Sequence, residues 1–314
     1  MQDKSSNSSF GPDINQFTQD IDFNKLATNS DFIYMRASSS STGNFSVDDK
    51  FVSFVKEARQ RGIPCGAYHY ALPSSDLLTA DFQCDNFITT LEEGFGSGNY
   101  GDLFPVLDVE EPLDKSISTT VLINWIQRFR ERFKNKTRRV LMLYTGLFFI
   151  ELYDNFRVPN KGYVLSDMPL WIAMYTRIPS NPRIPPNIGG WTRWTLWQYT
   201  DEGSLSGIAN PVDLNWGPTD VAYLKPPLPV VGLYAVQNGN IITVYWKANS
   251  EADISGYNIF INSLYAGTVS RNTTKFNINK SKFNFPKGEQ IEISIEAFDF
   301  AGDFSTERTK YILD

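Results

Sequence analysis

The sequence predicts an α/β protein, a barrel of five strand-helix units plus three further strands, followed by a small all-β immunoglobulin-like sandwich. Three observations carry that reading. Up to about residue 145, short apolar runs alternate with amphipathic stretches of helical period. From about residue 170, strand-like runs recur with no long helix between them. After the stiff Lys225-Pro226-Pro227-Leu228-Pro229, the pattern becomes short alternating strands separated by turn residues. The expected organisation is an N-terminal tail (1–9), a barrel (10–224), a Pro-rich linker (225–229) and a sandwich domain (230–314).

The elements follow in order. A first strand runs through Phe10 to Asn15, and Ile21 to Leu26 reads as a turn into a short helix. Phe32 to Ala37 is a second strand. Between Asp48 and Arg61, the apolar residues Phe51, Phe54, Val55 and Ala58 recur at helical spacing, with Gly62 placed to end the helix. Strand Pro64 to Tyr70, helix Thr79 to Leu91, strand Phe104 to Asp108, helix Ser118 to Phe133 and strand Val140 to Tyr144 continue the alternation. Leu170 to Met174, Leu196 to Tyr199 and Val212 to Leu214 are the helix-poor strands. Such a barrel of parallel strands builds its site at the strand C-terminal ends. The groups gathered there are Asp13, Arg36, His69 with Tyr70, Asp108 with Glu110, Tyr144, Trp171 with Tyr175, Trp197 with Gln198, and Asp213. In the sandwich region, Ile241 to Trp246, Gly256 to Ile261 and Gln290 to Ala297 alternate as strands, with turns at Asn238 to Asn240 and Pro286 to Gly288.

Composition narrows the function classes. With 29 basic and 35 acidic side chains, the net charge of −6 leaves no electrostatic footprint for nucleic acid or an anionic membrane. No apolar run reaches membrane-spanning length, and the first nine residues show no export-signal pattern. One histidine and two cysteines make histidine-based triads and multi-histidine zinc sites hard to build, and Cys65 and Cys84 read as buried free thiols. What remains is carboxylate chemistry. Asp108 and Glu110 stand two apart at a strand end, so they point to one side roughly 7 Å apart along the chain. Two close acids split their pKa values into a neutral acid and an anion, the pair that glycoside hydrolysis uses.

Residues 10 to about 224 resemble the lysozymes of glycoside hydrolase family 25, the Chalaropsis-type muramidases. That family opens with G-I-D-V-S-x-W-Q-G-x-I-D-W, and Gly11 to Phe23 follows it without a gap, with Phe17 and Phe23 in place of tryptophans. Gly66-Ala67-Tyr68-His69-Tyr70, the Asp108 and Glu110 pair, Leu143-Tyr144-Thr145, Leu170 to Ala173, Trp197 to Thr200 and Val212 to Asn215 follow in the family's order. Where the family has K-A-T-E-G, this chain has Arg36-Ala37-Ser38-Ser39-Ser40 and lacks the acid at Ser39. Leu233 to Ala235, Val244 to Trp246, Asp253 to Ile259 and Ala297 to Gly302 are similar to a fibronectin type III module.

The resemblance implies a peptidoglycan hydrolase cleaving the β-1,4 bond between N-acetylmuramic acid and N-acetylglucosamine. It assigns Glu110 as proton donor, Asp108 as the carboxylate that attacks or orients the substrate acetamido group, and Asp13 and Asp213 as the remaining cleft acids. Tyr70, Tyr144, Trp171, Tyr175, Trp197, Gln198, Arg36 and His69 would line the groove. Neither metal nor cofactor is required. The partner would be peptidoglycan glycan strands, with the C-terminal module as a dock on a phage or injection particle, and release at lysis or carriage on a virion is the expected setting. A catalytically silent wall-binding or assembly protein is the alternative reading.

Overall fold

Eight strands of the N-terminal unit form one closed sheet, because the first strand is paired on both of its edges. They are β1 (Phe10–Ile14), β2 (Ile33–Ser39) with the two-residue β3 (Ser46–Val47) on its flank, β4 (Cys65–Tyr70), β5 (Val106–Asp108), β6 (Met142–Gly146), β7 (Leu170–Ala173), β8 (Leu196–Gly203) and β9 (Val212–Trp216). This computed structural model describes residues 1–285 and 290–313. It divides into two compact units, Met1–Lys225 and Pro226–Asp314.

From β1 to β8 each stave of the barrel runs parallel to its neighbour, but β9 is antiparallel to both β8 and β1. An all-parallel barrel is therefore corrected at its last strand. The physical reason is the connection. Residues 204–211 are too few for the crossover that a parallel return requires, whereas a short loop joins antiparallel neighbours directly. The reversal puts the start of β9, with Asp213, at the same mouth as the ends of the other strands.

Helices α1 (Phe23–Asn29), α2 (Phe51–Gln60), α3 (Leu78–Phe95), α4 (Thr119–Thr137) and α5 (Leu147–Leu152) follow β1, β3, β4, β5 and β6. The Asp22 side chain caps α1 by accepting from the Asn24 and Lys25 amides, and Ser118 caps α4 through the Val121 amide. On α4 the stripe Leu122, Trp125, Ile126, Phe129 and Phe133 is fully buried, as its helical spacing demands. Among the described residues, no helix is long and apolar enough to cross a membrane.

Side-chain alternation sorts the strands into two cores. Phe32, Tyr34, Tyr68, Val106, Met142, Tyr144, Trp171 and Leu196 form one apolar cluster that fills the barrel. Their neighbours Ile33, Met35, Leu107, Leu143, Ile172 and Trp197 join the larger cluster that includes the helices. Cys65 and Cys84 are buried free thiols. The residues read as a tail are pinned to the barrel: the Met1 ammonium donates to the Pro185 carbonyl at 2.9 Å, Gln2 exchanges two hydrogen bonds with the Trp194 backbone, and the Trp194 indole donates to the Gln2 carbonyl.

The second unit holds β10 (Tyr234–Asn238), β11 (Ile241–Tyr245), β12 (Ile254–Ile261), β13 (Leu264–Ser270), β14 (Lys275–Asn279), β15 (Ile291–Asp299) and β16 (Thr309–Leu313). They form two antiparallel sheets, β10-β11-β14 and β13-β12-β15-β16. Val244, Trp246, Tyr257, Ile259, Ile278, Ile293 and Ile295 belong to the single apolar cluster that both sheets share. The turn expected at residues 286–288 lies outside the described residues.

The barrel interior is tight enough to test. A Cβ on Gly66 would stand 2.4 Å from a ring carbon of the fully buried Tyr34. Gly66→Ala should cost about 1–3 kcal/mol through overpacking, read as a drop of several degrees in Tm by thermal melting. An unchanged Tm would mean that the interior yields freely.

Candidate active site

Alternation along the strands also decides which side chains reach the barrel mouth. Asp13 and Asn15, Arg36, Tyr68 and Tyr70, Asp108, Glu110, Tyr144, Trp171, Gln198 and Asp213 line one cavity there. Asp108 ends β5 and Glu110 follows two residues later, so the acid pair sits where the strand gives way to the loop. Four carboxyl groups from β1, β5 and β9 thus share the cavity.

Asp13 and Asp213 stand directly opposite each other in the β1–β9 register, with Cβ atoms expected about 4.5–5.5 Å apart on one face. Facing carboxylates at this range are acceptor-only when ionised, so a proton shared between them would join the two. Burial pushes Asp213 up to about 9, with repulsion from Asp13 adding to it. Burial also raises Asp13, but hydrogen bonds from Asn215 and Gln198 pull it back. Both amides donate to the same oxygen, Asp13 Oδ2, from Asn215 Nδ2 at 2.8 Å and Gln198 Nε2 at 2.9 Å.

Each amide is itself held. The Trp171 indole donates to Asn215 Oδ1 at 2.8 Å, and the Tyr144 and Tyr175 hydroxyls donate to Gln198 Oε1 at 2.9 and 3.2 Å. Across the cavity, burial drives Asp108 well above the ordinary carboxylate range; Glu110 and Asp13 add to that, and Arg36 opposes it. Burial raises Glu110 to about 7, with repulsion from Asp13 next and a hydrogen bond from Tyr70 working the other way. Asp108 Oδ1 is buried and has no hydrogen-bond partner.

Arg36 is the cation among the residues lining this cavity. Its Nε donates to both carboxylate oxygens of buried Asp48 at 2.9 and 3.0 Å, and its guanidinium lies 5.4 Å from the centre of the Phe17 ring. Asp48 also accepts from the Gln16 amide. Ser39, which stands where the family pattern has an acid, bonds Ser41 instead. The groove continues past Asp13 and Asp213 toward Phe17, Asp201 and Pro211, and Phe17 is 70% exposed.

Four expected groove residues are placed elsewhere or otherwise. His69 points outward beneath the helices, stacked on Phe129 and bonded to Ser38 and Gln83, and burial lowers its pKa to about 4. Trp197 is fully buried on the same outer side, its indole bonded to the Met174 carbonyl. Strand alternation separates each of them from its inward neighbours, Tyr70 and Gln198. Trp171 lines the cavity but is 1% exposed and serves through its N–H rather than as an open stacking face. Tyr175 is half-exposed beyond the end of β7 and reaches the site through Gln198. Asn15, Tyr68 and Asn215 belong to the site without having been expected. The signal was the two-residue step: Asn15 from Asp13, Tyr68 from Tyr70, and Asn215 from Asp213. Among the described residues, no cluster of three or more His, Cys, Asp or Glu side chains is arranged to hold a metal ion.

The chain is similar to several known proteins. The crystal structure of the spore cortex lytic enzyme SleM of Clostridium perfringens is 65% identical, covers 100% of both chains and superimposes with a TM-score of 0.95. Lysozyme M1 of Streptomyces globisporus is 29% identical over 210 residues, which are 65% of this chain and 66% of that protein, so the match spans just under two thirds of the relative's length. The catalytic domain of the endolysin ply40, from bacteriophage P40 of Listeria monocytogenes, is 26% identical, with a TM-score of 0.56 over 70% of this chain and 97% of that one. The pattern of glycosyl hydrolases family 25 matches residues 12–208, the stretch that carries three of the four cavity acids, and on that match the chain belongs to glycosyl hydrolases family 25.

Proposed function

We propose that the chain is a peptidoglycan muramidase that hydrolyses the β-1,4 bond between N-acetylmuramic acid and N-acetylglucosamine with retention of configuration. The observation that carries this reading is the buried, unpartnered Asp108 Oδ1 beside the half-buried Glu110. A buried acceptor without a donor is costly, and the N–H of a substrate acetamido group would satisfy it. Glu110 then gives its proton to the glycosidic oxygen as the acetamido carbonyl oxygen attacks the anomeric carbon and the leaving sugar departs. Water, deprotonated by the Glu110 carboxylate, opens the resulting oxazolinium ion from the opposite face. Two inversions at one carbon give net retention. Burial, Glu110 and Asp13 raise Asp108, and Arg36 opposes them, favouring the ionised form that would accept the acetamido N–H.

Spore cortex peptidoglycan is the substrate we favour over a phage setting. A protein 65% identical over the whole chain is named for cortex lysis, whereas the similarity to a phage endolysin is 26% and confined to 70% of the chain. The second unit reads as a fibronectin type III-like sandwich. Its two antiparallel sheets around one core and its fit to that module's sequence pattern support this, and we assign it no catalytic role.

Three outcomes are expected. Digestion of purified peptidoglycan, borohydride reduction and mass spectrometry should yield muramitol; glucosaminitol would move the cleaved bond, and no new reducing ends would remove the hydrolase reading. Glu110→Gln should lower kcat by about 10²–10⁴-fold while the protein stays folded. Because Glu110 must hold its proton and titrates at about 7, kcat/KM should decline on the alkaline side from about pH 7, approaching tenfold per pH unit. A flat profile through pH 9 would exclude Glu110 as the acid.

A further inference from the structure

The geometry around Asp13 assigns a role to two residues that the catalytic scheme leaves unused. We propose that Asn215 and Gln198 are positioning residues that fix one shared proton on Asp213 and keep Asp13 as the anion of the pair. The inference rests on the muramidase reading only for what the anion does, not for where the proton sits.

The reasoning begins with symmetry. Asp13 and Asp213 are the same side chain placed opposite each other across an antiparallel pair, so a shared proton has no intrinsic preference for either. Two N–H donors on Asp13 Oδ2 break the tie, because hydrogen bonds to the charged form favour it. Among the described residues no amide or guanidinium hydrogen-bonds to Asp213, which is left as the donor of the pair.

An amide can present either its N–H or its carbonyl, and a flipped amide would favour the opposite arrangement. Here neither can flip without loss. The Trp171 indole N–H occupies Asn215 Oδ1, while the Gly11 carbonyl accepts from Asn215 Nδ2 along with Asp13. Tyr144 and Tyr175 both donate to Gln198 Oε1. Trp171, Tyr144 and Tyr175 are thereby donors to the two amides rather than sugar contacts alone. The other groups that bear on the pair do not break the tie in this way. Arg36 on β2 is paired with Asp48, Glu110 repels both carboxylates, Asp108 at β5 repels Asp13 while Asp201 on β8 repels Asp213, and the Tyr68 and Tyr144 phenols are neutral.

A fixed anion at Asp13 places negative charge where the anomeric centre becomes positive, and a neutral Asp213 avoids a second, mutually repelling charge. If the polarity were reversed, the charge would move to the other strand of the pair.

The test uses the full-length chain carrying ¹³C-labelled aspartate carboxyls, with Asn215→Leu, Gln198→Met and Trp171→Phe as variants. Wild type should show Asp13 ionising at lower pH than Asp213. In Asn215→Leu and Gln198→Met, the Asp13 carboxyl titration should move up by about 1 pH unit or more, since each variant removes a hydrogen bond to a charged group. Trp171→Phe keeps an aromatic side chain and leaves Asn215 in place but removes the indole N–H, freeing the amide to turn, and should give a smaller shift in the same direction. On peptidoglycan, the acid limb of kcat/KM should move toward neutral pH by the same amount, because Asp13 must be ionised, with KM changed less than kcat. Loss of packing alone would lower Tm without moving either titration. Should the first two variants fail to fold, Trp171→Phe still decides. Asp213 ionising first in wild type, or an Asp13 titration unmoved in the folded variants, would overturn the proposal. An absence of all hydrolysis alongside the expected NMR shifts would remove the muramidase reading and leave the proton assignment standing.

Discussion

Four carboxyl groups in one largely desolvated cavity cannot all be charged, and the N-terminal unit is organised around that constraint. Moving an ion out of water costs several kcal/mol unless it is paired or hydrogen-bonded, so every anion kept in such a space needs its own support. Asp13 has two amide donors on one oxygen, and Asp108 has the field of Arg36. Asp213 lacks comparable support and is pushed toward the protonated form, and burial raises both Asp108 and Glu110, opposed by Arg36 at the one and by a Tyr70 hydrogen bond at the other. The result is two acid pairs in which the neighbouring side chains, and not the carboxyls themselves, decide where the protons sit. The barrel supplies what this needs, a rigid ring of strand ends that aims side chains from β1, β5 and β9 at one point and a floor of packed aromatics that keeps water out.

Much of this could be read from the sequence because strand alternation and helical period are local properties. The stripe on α4, the strand ending in Asp108 and the alternating strands of the second unit all follow from side-chain spacing of two or 3.6 residues. The same rule, applied to β4 and β8 as strictly as to β5, would have excluded His69 and Trp197 and pointed to Tyr68. The rest was not local. The reversal of β9 depends on the length of a connection and on which strand it returns beside. Asn215 matters only because Asp13, about two hundred residues earlier in the chain, lies across from β9. Nor could the sequence separate a stacking tryptophan from one whose N–H holds an amide, since Trp171 looks the same in both roles.

Membership of a glycosidase family and the details of this chain operate at different levels. Sequence similarity at 65% covers both units, so the second unit is a shared feature of this chain and its clostridial neighbour. Similarity to lysozyme M1 at 29% covers 65% of the chain. The barrel therefore sets the chemistry that distant relatives have in common. The replacement of the family's acid by Ser39, the Arg36–Asp48 pair and the exposed Phe17 set what is particular to this groove.

The β1–β9 pairing joins residues 10–14 to residues 212–216, the most distant partners in the barrel's sequence, and the Asp13–Asp213 pair sits on that join. It is the seam of a closed cylinder. Closing it requires ordering nearly the whole unit first, which makes it a high-contact-order step. An incomplete barrel, whether partly synthesised or partly opened, would hold the Asp108–Glu110 pair without the opposite wall. The four-acid cavity would then be complete or absent as a whole, and would exist only once the fold is finished.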